Sequence, residues 1–252
     1  MIASARPTGR TGTGTRATGA LGLVTLALFG FLLVFGLFNS PADAVQRDSV
    51  RILYLHVPSA EMAYIAFAVA AVASAAYLWR RTRSKAWDRV ANASVELGVV
   101  FTGLTLVTGM MWGRISWGVY WDWADTRLVS TLLLFVMFVG YLAVRRLDGS
   151  DDQRARRSAV VALVAILDVP LVHFSVEWFQ TTHPKSSLET AGAIDGTFRF
   201  LHFVGVVTFF CGYLWLMMHR NRVAMLEERL AGEELATAIA ERQREGVAGV
   251  PS

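Results

Sequence analysis

Residues 112–128 read WGRISWGVYWDWADTRL and gather four of the chain's eight tryptophans: Trp112, Trp117, Trp121 and Trp123. Tyr120 adds a fifth flat ring, and Arg114, Asp122, Asp125 and Arg127 are interleaved with them. An aromatic belt at a membrane–water boundary needs only scattered rings with one wet edge. A platform for a large planar ligand needs several rings close together with charges at their rim. This stretch has the second pattern, and it lies between two long apolar segments.

The histidines are the other residues able to do chemistry. His219 sits among basic residues, whereas His56, His173, His183 and His202 fall toward the half that also carries the aromatic loop. His173 and His202 fit the ordinary role of a membrane histidine, bonded to a neighbour or to headgroups. His56 and His183 lie in, or at the mouth of, the loops that flank the aromatic one. Two neutral imidazoles from opposite sides of a flat aromatic floor suit axial ligation of haem iron. Arg114 or Arg127 can grip propionates bidentately. The competing reading is that three loops merely close a helix bundle, and spacing alone leaves both open.

The elements that must position these residues follow from composition. The 252 residues are 54% hydrophobic and 17% charged, against roughly a quarter charged in soluble domains. Six apolar runs, at about 19–38, 60–79, 93–112, 128–144, 158–176 and 199–218, approach the roughly 20 residues that cross a bilayer. Hydrocarbon forces backbone amides to pair within their own segment, so the runs are helices. The expected fold is an all-α integral membrane protein, a bundle of six transmembrane helices. Arg6, Arg10 and Arg16 before the first run, with Ala42-Asp43-Ala44 after it, resemble a signal peptide. Its uncharged core from Ala20 to Phe38 exceeds the roughly 7–15 residues of such a signal, so an uncleaved first span is expected.

Eighteen of the 24 Lys and Arg fall in the N-tail, the loops after spans 2 and 4, and the C-tail. That bias places both termini in the cytoplasm and the aromatic loop outside. The pI of 9.6 thus reflects topology and does not argue for nucleic acid. The lone Cys211 in span 6 cannot form an intramolecular disulfide. No P-loop, G-x-G-x-x-G, C-x-x-C or H-E-x-x-H occurs, so the chain does not hydrolyse nucleotide by itself. The expected organisation is a disordered cytoplasmic N-tail over 1–18, a six-span domain over 19–220 and a cytoplasmic helical tail over 221–252. Pro58-Ser59 reads as the start of span 2, with Ser59 as N-cap and His56 just outside the first turn. Gly98, Gly103 and Gly109 in span 3 permit close helix approach.

The segment Trp117–Leu128, WGVYWDWADTRL, resembles the tryptophan-rich "WWD" signature of haem-handling proteins in cytochrome c maturation. Residues 53–59, LYLHVPS, resemble that family's Y-x-H-V-P-S segment before span 2. Residues 175–183, SVEWFQTTH, resemble its S-V-x-W-W-x-T-x-H segment after span 5. Three ordered motifs, six spans and this length resemble the haem exporter protein C (CcmC) branch, over roughly residues 20–220. The resemblance implies that His56 and His183 are external axial ligands of haem b. It maps Trp117, Gly118, Trp121, Trp123, Asp125 and Arg127 onto the signature loop, with Tyr120 and Phe179 where Trp is common and Trp178 in the third motif. Ala124 separates Trp123 from Asp125, so Asp122 is the alternative motif carboxylate. The implied partners are a haem chaperone at the external face, ABC-type transporter subunits and a small single-span protein, in the bacterial inner membrane.

Two other classes compete with haem delivery. A haem-b electron-transfer membrane protein needs ligand pairs toward both faces, and the inner half offers only His219. A proton-coupled multispan transporter would use His173, His202, Asp168 and Glu177, since ionisable residues in spans are functional candidates.

Overall fold

The computed structural model describes residues 13–43, 46–179, 183 and 196–248. Seven α-helices carry these residues: α1 (Arg16–Phe31), α2 (Leu53–Leu78), α3 (Lys85–Trp117), α4 (Thr126–Val144), α5 (Asp151–Ala165), α6 (Asp168–Trp178) and α7 (Gly196–Ala248). A π-helical segment, Leu32–Asn39, continues α1, and a 3-10 turn, Asp48–Ile52, leads into α2. Six helical segments are long and apolar enough to cross a membrane, with α5 and α6 together forming the fifth. Leu23, Leu26, Val72, Val100 and Val136 are exposed within those segments. An apolar outer surface of this kind suits lipid.

Helices α2 and α3 form the closest pair, α7 packs on α1, α2 and α3, and α4 packs on α3, α5 and α6. The centre holds the buried Phe67 and Phe138 rings, stacked 3.7 Å apart at 3°. Met62, Ala66, Ala70, Val95, Leu134 and Tyr141 surround them. Small residues along α2 are what let α3 and α7 come so near.

Polar pairs tie the helices at one end of the bundle. Arg145 beyond α4 grips Asp88 of α3 bidentately, at 2.6 and 2.9 Å. Arg220 of α7 pairs with Glu96 of α3, and the Tyr77 hydroxyl donates to Asp152 at 2.9 Å. This is the end rich in Lys and Arg. The other end is where α2 and α4 begin and α3 and α6 finish.

Three sequence expectations need correction. Span 2 does not start at Pro58-Ser59, because α2 already runs from Leu53 with Pro58 inside it. The Ser59 hydroxyl donates to the His56 carbonyl at 2.7 Å instead of capping. His56 is therefore inside the helix, turned toward α3. The fifth span is not one continuous run: it breaks at Ile166–Leu167, and α6 restarts with Asp168 buried in its first turn. Of the tail expected to be disordered, residues 16–18 are helical, since Thr15 and Thr18 form a reciprocal capping box at the start of α1. Residues 1–12 lie outside the described ones. Beyond the last span, α7 stays helical across 220 to Ala248, and Arg89 of α3 holds Glu228 there at 2.9 Å.

Candidate functional site

A cavity of about 280 Å³ opens where α2, α3, α4 and α6 converge at the end of the bundle poor in Lys and Arg. His56, Glu61 and Tyr64 of α2, Thr105 and Gly109 of α3, Arg127 of α4 and His173 of α6 line it, and so does His183. The two histidines expected to act together, 127 positions apart in the chain, face one space.

His56 is held from α3. Its Nδ1 lies 3.1 Å from the Thr105 carbonyl oxygen and 3.1 Å from Thr108 Oγ1. A carbonyl only accepts, so Nδ1 carries the hydrogen and Nε2 carries the lone pair. The Thr108 hydroxyl donates onward to the Leu104 carbonyl at 2.7 Å, leaving its oxygen to accept from the ring. Gly109 makes the approach possible. A Cβ there would stand 2.9 Å from His56 Cε1, inside van der Waals contact. Ser59, one turn along α2, meets Thr105 Oγ1 at 2.9 Å and locks the same helix pair.

His183 is held from the start of α4. Its Nδ1 lies 3.1 and 3.0 Å from the two Asp125 carboxylate oxygens, which again leaves Nε2 with the lone pair. Asp125 is fully buried in its side chain and caps α4, accepting the Leu128 amide at 3.1 Å. One carboxylate thus fixes a helix start and the tautomer of a ring, the arrangement by which metal-binding histidines are commonly oriented. Burial holds the His183 imidazole below its ordinary pKa, while the Asp125 carboxylate pulls it back up. Trp117 stands edge-on to His183 at 4.7 Å and to Trp112 at 4.9 Å.

The remaining loop residues spread outward from this point. Gly118 ends α3 with a φ of 80°, a left-handed conformation that glycine adopts without strain, and Arg114 donates to its carbonyl. The Arg114 guanidinium also lies over the Tyr120 ring at 5.6 Å. Trp121 and Trp123 pair at 5.4 Å. Trp123 and Tyr120 are exposed, and the Trp121 Nε1 is buried with no acceptor among the described residues. Asp122 is not among the residues that line the cavity and accepts the Ala124 amide at 2.9 Å. The inserted Ala124 thus belongs to a short turn that carries Asp125, and not Asp122, to His183. Trp178 is exposed and stacks on Phe174 at 5.3 Å. Arg127 faces the cavity, donating to the His173 carbonyl at 2.9 Å and to Ser175 Oγ at 3.3 Å.

No tryptophan lines the cavity that the two histidines share, among the described residues. The rings form an outer rim that touches the site through Trp117. Gln180, Thr181 and Thr182 lie outside the described residues, and so does Pro184.

The residues around the histidines carried weak sequence signals. Thr105 of the lining and Thr108 behind His56 read as ordinary span residues, and Gly109 as a packing glycine. Glu61 sits within the expected second span, where its pairing with His202 at 3.4 Å follows only from how α7 lies on α2. A carboxylate in an apolar run is a functional candidate, and this one was legible on that ground alone.

The donor set fits a bis-imidazole metal complex. Two imidazoles with Nδ1 engaged, one buried carboxylate behind one of them, a guanidinium at the cavity wall and a rim of indoles gather at one end of a six-span membrane bundle. The Heme exporter protein C (CcmC) family model matches residues 1–236. Heme exporter protein C of Bradyrhizobium diazoefficiens is 34% identical over 213 residues, covering 82% of this chain and 80% of that one. The Escherichia coli K12 protein of the same name is 34% identical over 214 residues, 83% of this chain and 84% of its own. That of Haemophilus influenzae is 33% identical over 210 residues, 81% and 83%. The chain belongs to the Heme exporter protein C family, and is a multi-pass membrane protein.

Proposed function

We propose that this chain is a haem-handling subunit of cytochrome c maturation that holds haem b between His56 and His183 and delivers it to a haem chaperone. The observation that carries the reading is that both imidazoles line one cavity, each with Nδ1 committed to an oxygen acceptor and Nε2 left to face iron. Asp125 and the Thr105 carbonyl orient the rings and make them better donors. Arg127 supplies a cation for a propionate, and Arg114 offers a second at the rim. Trp117, Trp121, Trp123, Tyr120 and Trp178 provide apolar, polarizable surface at the mouth, where the chaperone meets the cargo.

The positive-inside bias puts this mouth on the periplasmic side of the bacterial inner membrane. With no nucleotide motif in the chain, energy for release comes from ABC-type transporter subunits, and a small single-span protein completes the assembly. Transmembrane electron transfer is disfavoured, because His219 at the opposite end is engaged with Thr13 at 2.9 Å and edge-on to Trp215.

The test is absorption spectroscopy of the purified full chain loaded with haem. His56→Gly and His183→Gly are expected to lose the low-spin six-coordinate spectrum, and added imidazole is expected to restore it. Unchanged spectra in both variants refute the assignment.

A further inference from the structure

Four of the five histidines have a committed ring nitrogen: His56 at Thr105, His183 at Asp125, His202 at Glu61 and His219 at Thr13. His173 has none among the described residues, where only its carbonyl is bonded, by Arg127. Its ring is exposed and yet lines the same cavity as His56 and His183. Five residues separate it from the end of α6, which sets it roughly 7 Å inside the span at about 1.5 Å per residue. Leu167, Phe174 and Trp178 of the same segment are exposed too, an apolar face that suits lipid. An imidazole with no hydrogen-bond partner at that depth is costly. Tyr64 and Phe174 stand edge-on to it, at 6.3 and 4.8 Å, and leave the ring nitrogens without a protein acceptor.

We propose that His173 is a third iron ligand, a receiving site at the lipid-facing rim that captures haem from the bilayer before it passes to His56 and His183. The inference rests on the reading that those two histidines hold haem. Capture would be ligand exchange: an iron–nitrogen bond to His173 forms as a weak ligand such as water leaves. Transfer would exchange both axial ligands, His173 and the remaining weak ligand such as water leaving as His56 and His183 bind, with no change of oxidation state. Arg127, anchored on the His173 carbonyl, keeps a propionate partner beside the ring throughout the move.

The experiment mixes the purified full chain with phospholipid vesicles carrying ferric haem and follows the Soret band by stopped flow. His173→Asn is expected to fill severalfold more slowly while reaching the wild-type low-spin spectrum, and imidazole is expected to restore the rate in His173→Gly. Filling at the wild-type rate overturns the proposal. So does slow filling that imidazole leaves uncorrected, since that marks a packing role. Equal slowing when haem is supplied from serum albumin in water overturns the bilayer route. If His56→Gly and His183→Gly keep the wild-type spectrum, the underlying reading fails instead, whatever His173 does.

Discussion

Asp125 serves two masters, the Leu128 amide at the start of α4 and the His183 ring. Asn keeps an oxygen that caps a helix but lacks the charge that strengthens the bond to an imidazole. Asp125→Asn is therefore expected to lower haem affinity about 10- to 100-fold with little change in melting temperature. Asp122→Asn, at a residue that does not line the cavity, is expected to change neither. Haem titration with a thermal melt separates the two. His183 gives a pH dependence whose sign follows from burial. Burial holds its pKa in the folded chain below the ordinary imidazole value of about 6.5, so the ring is neutral at neutral pH and the neutral form is lost as pH falls through the lowered folded value. Iron on Nε2 competes with the same proton and moves the loss lower still. A spectroscopic acid titration is expected to show the low-spin band half gone at a pH below 6.5, and a midpoint above it contradicts the buried, neutral ring.

At the scale of elements, the α2–α3 contact decides where His56 points. Gly109→Ala drives a methyl into the His56 ring, which must turn away from Thr105. Gly103→Ala meets only Phe135 at an ordinary 3.5 Å. The first is expected to lower haem affinity about tenfold or more, in the range seen when a ligand's orienting contacts are lost. The second is expected to leave affinity unchanged, and equal effects from both would show that helix separation, and not the His56 ring, is what glycine protects. Gly109 was legible as a point of close approach, because small residues let membrane helices near. The ring it admits was not, since nothing in a local sequence states which side chain of another helix lies opposite. Pro58 shows the reverse. A proline before serine carries a strong local signal for a helix start, and the bilayer's demand for continuous backbone pairing overrode it.

Across the whole molecule, function and support occupy opposite ends. The Arg145–Asp88 pair joins α3 to α4 far from the cavity, with side chains only 18% and 21% exposed. Removing one partner leaves the other charge largely desolvated, so Asp88→Ala is expected to cost about 2 kcal/mol, less than a fully buried pair. A thermal melt in detergent reads the loss, while the spectrum of bound haem is expected to remain that of wild type. A spectral change would mean that the two ends are coupled through α3 and α4.

Helix number, approximate span lengths, the end rich in positive charge and the candidacy of His56, His183 and the tryptophan loop were all readable in the linear chain. Each depends on composition, on period or on a contiguous motif, and lipid makes those local rules strict. That Asp125 and not Asp122 bonds the His183 ring was not readable there. Nor were the threonines behind His56, the pairing of Glu61 with His202 and the uncommitted ring of His173. These depend on which faces of α2, α3, α4, α6 and α7 meet. Apolar faces of helices in lipid are nearly interchangeable by hydrophobicity, so packing of small residues and satisfaction of a few polar groups choose among them. That choice is made only in three dimensions.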